Sequence, residues 1–218
     1  MIWPFENLQP MSYGLVKADP PWSFDNWSEG GNAKNAKAQY DCMPTAEIAR
    51  LPVGHLAGGD CWLMLWATSP MLPDAFEVMK SWDFKFVTAG CWVKRGPSGK
   101  LAFGTGYVLR TAAEFFLLGK IGNPPTFSKS VRNVIEGPRR QHSRKPDQAY
   151  TAAEKLFGPV RRADLFSRQT RPGWDSWGYE KSKFDAGDPG PMKRAVAAPV
   201  LVAGPLDPMP LFPEILAA

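Results

Sequence analysis

Asp19-Pro20-Pro21-Trp22 is the stretch of this chain whose residue types and spacing could do chemistry. Asp19 offers a carboxylate acceptor, and the carbonyl of Pro20 can offer a second. The two prolines fix φ near about −65°, so both acceptors are oriented before any ligand arrives. Trp22 adds a flat apolar face against which a planar ring can stack. Two rigid acceptors beside a stacking face suit an amine that carries two N–H groups on an aromatic ring, such as the exocyclic amine of adenine. That nitrogen is a poor nucleophile because its lone pair is delocalised into the ring. Accepting hydrogen bonds from both N–H groups draws it towards tetrahedral geometry, with the lone pair facing a methyl donor. The same four residues can also make a strand-terminating turn with a packed tryptophan, so context has to decide.

The elements around the motif supply that context. Tyr13–Ala18 is a short apolar run that stops at Asp19-Pro20, which predicts a buried strand with a sharp end. Open α/β sheets bind ligands at the carboxyl ends of their strands, where the motif then falls. Asn26 to Gln39 is polar and rich in Gly, Asn and Lys, which predicts a mobile loop. Cys61–Thr68 is a second apolar run, and a helix is predicted over Pro73–Trp82. Further strands are predicted at Phe84–Val93, Val108–Leu118 and Asn133–Ile135, with a Gly-rich loop over Lys94–Gly106. Pro146–Phe157 reads as a helix, with Pro at its first position, Asp147 in its first turn and Gly158 as its stop. Arg162–Phe166 reads as the strand that follows. Strands alternating with helices predict an α/β fold with a largely parallel sheet. Beyond Lys181 the composition shifts to Pro, Ala and Gly. This divides the chain into a domain over 1–184 and a tail over 185–218, flexible or docked on a partner through its apolar Met209–Leu216 stretch.

Composition narrows the classes. The chain has 218 residues and a mass of 24.1 kDa, enough for one domain with a real core. No apolar run reaches the ~20 residues of a membrane span, and the first residues lack a secretory signal. Three cysteines without Cys-x-x-Cys spacing and only two histidines give neither a disulfide framework nor a metal site, so a cytoplasmic chain is expected. The net charge is +5, yet eleven basic and four acidic residues lie between Pro125 and Pro172, a local surplus of seven. Such concentration points to a polyanionic partner.

Several segments, taken in order, resemble the N6-adenine methyltransferases that include the catalytic subunit of the eukaryotic messenger-RNA adenosine methyltransferase and many compact bacterial and phage relatives. They are Tyr13–Trp22, Tyr40-Asp-Cys-Met43, Leu63–Thr68, Cys91-Trp-Val-Lys94, Arg110–Glu114 with the following Phe115–Gly119, Ser143–Asp147, Asp164–Arg168 and Arg171–Gly178. The resemblance covers about Trp3 to Glu180. It implies a Rossmann-like fold that binds S-adenosylmethionine, with a permuted motif order in which the catalytic Asp19, Pro20, Pro21 and Trp22 precede the main cofactor strand. By the same resemblance Asp19, Lys145, Asp164, Phe166, Arg168, Arg171, Gly178, Tyr179 and Glu180 are cofactor residues. Lys145 would face the methionine carboxylate and Asp164 or Arg168 the ribose hydroxyls, with Trp3 to Phe5 as candidates for the cofactor's adenine. Tyr40, Trp92, Lys94 and Glu114 correspond to positions around the target base, with Trp92 as a wall; core packing is the alternative for Trp66 and Trp92, and it is favoured for Trp66. Lys129, Arg132, Arg139, Arg140 and Arg144 fit a track for backbone phosphates. One position departs from the family: Asn often follows the glycine of the Trp-x-x-Trp-Gly segment and helps bind the cofactor, whereas this chain has Tyr179 and then Glu180.

The resemblance implies methyl transfer from S-adenosylmethionine to the N6 amine of adenine in nucleic acid, with DNA favoured, no metal and no covalent enzyme intermediate. An RNA substrate, a cytosine amine or protein side chain as acceptor, and a catalytically silent nucleic-acid-binding subunit are the other readings. A bacterial or phage-infected cell, and a homodimer or partner subunit, are the implied setting. At this length short or relaxed sequence specificity is expected, or specificity lent by a partner.

Overall fold

The computed structural model describes residues 3–23, 42–104, 106, 108–140, 144–178 and 182–185. Seven strands form one sheet: β1 (Tyr13–Ala18), β2 (Ala57–Ala67), β3 (Lys85–Arg95), β4 (Ala113–Ile121), β5 (Val134–Pro138), β6 (Arg162–Leu165) and β7 (Asp175–Trp177). Their spatial order is β5-β3-β4-β2-β1-β6-β7. Six strands run one way, and β4, between β3 and β2, runs against them. The helices are α1 (Thr45–Arg50), α2 (Leu72–Ser81) and α3 (Asp147–Phe157). From β1 the chain builds the sheet outwards on one side and then returns to lay β6 and β7 on the other. β1 is therefore the switch point of the topology, where crevices open in such sheets.

Alternation along the strands sends side chains to two cores, one on each face. Val16 and Ala18 of β1 with Leu63 and Leu65 of β2 join Ile48, Ala75, Val78 and Met79 beneath α1 and α2. Leu15 with Trp62, Met64 and Trp66 joins Ala149, Tyr150, Ala153 and Phe157 beneath α3. The buried positions of α3 recur at helical spacing, and Gly158 (φ 71°) ends it in a conformation that costs a glycine little. Lys17 is the exception within β1: it is buried on the α3 face in the middle of an apolar strand.

β1 has the bounds its apolar run predicts, and β2, β3, β5, β6, α2 and α3 fall within a few residues of theirs. Pro146 caps α3 from outside, in extended conformation, rather than opening its first turn. β4 begins at Ala113, five residues after the predicted Val108. Val108 and Leu109 are exposed in the connection from β3, and apolarity alone cannot separate an exposed loop from a buried strand. Six-residue α1 and three-residue β7 were not predicted, being too short to carry a period. Among the described residues no helix is long and apolar enough to cross a membrane. The loop at 26–39 and the tail from 186 lie outside the described residues.

Candidate active site

Asp19 follows the last residue of β1, and the groups around it arrive at the same end of the sheet. Lys94 comes from the carboxyl end of β3. Because β4 runs in reverse, Glu114 reaches that end from near the strand's start, and it neighbours β3 in register with Trp92. Lys145 comes from the turn before α3. These four side chains form one row of alternating charge. Lys145 Nζ lies 2.6 Å from Asp19 Oδ2 and 2.8 Å from Glu114 Oε1, and Lys94 Nζ lies 2.7 Å from Glu114 Oε2. The two ammoniums also sit over indole rings, Lys145 5.3 Å from the Trp66 ring and Lys94 4.7 Å from that of Trp92.

The two carboxylates titrate apart. Burial pushes the Asp19 carboxyl up from its ordinary range; Lys145 opposes this and the charge of Glu114 adds to it. Burial alone would raise Glu114 too, but Lys145 and Lys94 outweigh it and hold that carboxyl at about 2. For Lys145 burial works against the charge, and Asp19 and Glu114 reverse the effect and raise its pKa. Glu114, between two ammoniums, is thus the settled anion, whereas Asp19 stays raised although Lys145 and, behind it, Lys17 favour its charge.

The motif's local fold fixes where these acceptors point. Trp22 N–H donates to Pro20 O at 2.9 Å, and Met43 N–H donates to Pro21 O at 2.8 Å, which ties the turn to the segment before α1. Expected to offer a stacking face, Trp22 is instead packed in the core at 5% exposure, with Nε1 donating to Trp66 O at 2.9 Å. The packed ring anchors the turn. Trp92 is likewise in the core at 2% exposure, its Nε1 donating to Gly137 O, so it backs the site from beneath Lys94 rather than walling it.

Beside Asp19 a concavity open to solvent is lined by Lys17, Asp19, Arg144, Lys145, Tyr150 and the turn Phe166–Gln169. Phe166 has φ 59°, a left-handed conformation rare for a large residue, and this bends the chain sharply after β6. An edge contact with Trp177 (5.3 Å between centroids) holds its ring, and Trp177 meets Phe5, which meets Trp3. Phe5 is fully buried, leaving Trp3 as the half-exposed end of that aromatic row. A Cβ on Gly178 would come within 2.8 Å of Ser167 O, so only glycine lets β7 close against this turn.

Asp164, the expected ribose acceptor, is wholly buried and fully engaged. It accepts from Lys17 Nζ at 2.8 Å, Tyr150 OH at 2.8 Å and Ser167 Oγ at 3.1 Å. Its carboxylate therefore braces the floor of the concavity, and Arg168 is the candidate on the rim. Sequence reasoning missed Lys17, Tyr150 and Ser167. The signal was a lysine inside an apolar strand, because such a charge needs a buried partner. Arg171 and Arg140 both pair with Asp147, the latter at 2.6 Å, and lower its pKa against the effect of burial. Arg140 is thereby tied to the start of α3, Arg144 donates to Gln169 at 3.1 Å, and Lys129, Arg132 and Arg139 are exposed. Tyr40, Tyr179 and Glu180 lie outside the described residues.

A sheet of this order, with a proline-locked carboxylate at its switch point, defines a Rossmann-like methyltransferase domain. This chain belongs to the MT-A70 family, whose model matches residues 13–180. It is similar to the type II methyltransferase M.MunI of Mycoplasma sp, 29% identical over 81% of each chain. It is also 25% identical to the human N(6)-adenine-specific methyltransferase METTL4 and 28% identical to the human N(6)-adenosine-methyltransferase catalytic subunit METTL3. Each of those matches covers 81% of this chain, which spans 40% and 30% of the two longer relatives.

Proposed function

We propose that this chain transfers a methyl group from S-adenosylmethionine to the N6 amine of adenine in nucleic acid, with DNA favoured over RNA. The observation that carries this reading is the placement of the Asp19 carboxylate. It stands at the switch point of the sheet, on a proline-stiffened turn, between an open concavity and the row Lys145–Glu114–Lys94. DNA is favoured because a compact type II methyltransferase matches over 81% of both chains, whereas the longer adenosine enzymes match over a minor part of their length.

The residues lining the concavity fit the cofactor: a cation for its carboxylate in Lys145, an aromatic edge in Phe166 and a rim donor in Arg168. When bound, S-adenosylmethionine supplies an electrophilic methyl group on a sulfonium sulfur. Asp19 accepts one N–H of the adenine amine. Pro20 O, which already takes the Trp22 N–H on one lone pair, accepts the other with its second. Lys145 can turn from Asp19 towards an incoming carboxylate without losing its charge partner, since Glu114 remains at 2.8 Å. The surplus proton needs no strong base, because the alkylated amine is acidic.

The test is transfer of label from S-adenosylmethionine to matched double-stranded DNA, single-stranded DNA and RNA, each digested to nucleosides. Label in N6-methyladenosine or its deoxy form is the expected result, and it names the polymer. Asp19→Ala should lower turnover by roughly a hundredfold or more while the protein stays folded. Retained methylation in that variant would sink the assigned role.

A further inference from the structure

We propose that residues 96–104 and 108–112 of the connection from β3 to β4 form a wedge that enters the base stack of duplex nucleic acid beside an extruded base; this rests on the reading above. The connection leaves β3 at its carboxyl end and enters β4 at its amino end, which is the end of the sheet that carries Asp19. A hydrogen-bonded stem supports it. Lys94 N–H donates to Ala112 O at 2.8 Å, Ala102 N–H to Lys94 O at 2.8 Å and Gly104 N–H to Thr111 O at 2.9 Å. At the root of the stem the Lys94 ammonium pairs with Glu114, so the wedge is joined to the row of charges that ends at Asp19.

What the stem presents is apolar. Leu101 is 58% exposed, Phe103 73%, Val108 91% and Leu109 82%, a concentration of large hydrophobic side chains that marks an interaction site. Charge identifies the partner. Residues 94–112 hold four basic side chains and no acidic one; Lys94 and Arg95 pair with Glu114 and Glu136 of the neighbouring strands, which leaves Lys100 and Arg110 as the cations set beside the apolar side chains. The Arg110 guanidinium lies 5.6 Å from the centre of the Phe103 ring, so cation and wedge are presented together. A second copy of this chain would bring like charge against like charge, whereas a phosphate backbone neutralises it. Drawing a base into a pocket leaves a gap in the stack, and phenylalanine and leucine side chains fill such gaps while cations beside them meet the phosphates. A single strand has no paired stack from which the base must be extruded, so the wedge acts on duplexes.

The test compares the wild type with the triple variant Phe103→Ser/Val108→Ser/Leu109→Ser on one mixed-sequence oligonucleotide, single-stranded and as its duplex. The ratio of duplex to single-strand labelling should fall about tenfold in the variant, and adenines mispaired with cytosine, which cost less to extrude, should recover most of it. An unchanged ratio overturns the wedge, and so does a wild type that labels single strands alone. A second arm needs no turnover: fluorescence anisotropy with an intact duplex and one carrying a central abasic gap. The wild type should bind the gapped duplex more tightly, by about fivefold, and the variant should lose that preference. Equal wild-type affinities for the two overturn the proposal. If the wild type labels neither polymer yet prefers the gap, the methyltransferase reading falls and the wedge stands. If the variant turns a wild-type dimer into a monomer and leaves both ratios alone, the patch belongs to a second copy and the wedge is overturned.

Discussion

Two ionic assemblies flank the carboxyl end of β1, and they differ in how completely each is closed. Behind the concavity, Asp164 is wholly buried and takes three donors from Lys17, Tyr150 and Ser167, while the Lys17 ammonium also faces the Tyr150 ring at 4.8 Å. In front of it, the row is partly open at both ends, with side-chain exposure of 14% at Asp19, 4% at Lys145, 13% at Glu114 and 21% at Lys94. A closed cluster of buried charges has one arrangement, because each partner removed leaves an uncompensated charge. An open row can exchange partners. The first assembly therefore fixes the floor of the site, and the second meets ligands.

The largest effect that would break this contrast is in the closed cluster. Lys17→Met leaves Asp164 buried without its cation and should cost about 3–5 kcal/mol, measured by chemical denaturation. Adding Asp164→Asn should recover a large part of that loss, and a cost below about 1 kcal/mol for Lys17→Met would show that the cluster is not closed.

A smaller effect tests the open row through pH. Glu114 has its folded pKa depressed, so its contribution is present above the ordinary value of 4.5 and is lost as pH falls towards about 2. Asp19 has the opposite sign: its raised pKa costs stability at neutral pH, and this cost disappears as the carboxyl protonates. The net acid loss in the wild type should therefore be smaller than Glu114 alone would give, on the order of 1–3 kcal/mol. Denaturation midpoints between pH 5 and about 2 should show less loss in Glu114→Gln than in the wild type. A parallel decline in both would remove Glu114 from the account. The smallest effect sharpens the comparison: Tyr150→Phe deletes one of three donors to Asp164 and should cost about 1–2 kcal/mol in the same measurement.

What could be read from the sequence follows the range over which each signal acts. β1 and α3 were legible because their limits are local, an apolar run ended by Asp19-Pro20 and a helix closed by Gly158. β7 forms only because β6 offers it an edge, and Val108-Leu109 imitates a strand start while standing in solvent. In the site, Asp19, Lys94, Glu114 and Lys145 were each singled out, but that they form one row depends on β4 running in reverse. Lys17 could be seen as an anomaly, yet its partner lies 147 residues away, beyond any local pattern.

The reversed strand has one more consequence. Because β4 lies directly beside β3 and antiparallel to it, the chain between them only has to turn back, whereas a parallel pair needs a crossover that spans the sheet. Closing a longer excursion there costs little, about 0.6 kcal/mol for each doubling of its length. The segment over 96–112 is in that sense a cassette. It can be lengthened, shortened or exchanged for another without moving the register of the sheet or the position of Asp19, so new specificities can be grafted at the edge of the site while its chemistry stays in place.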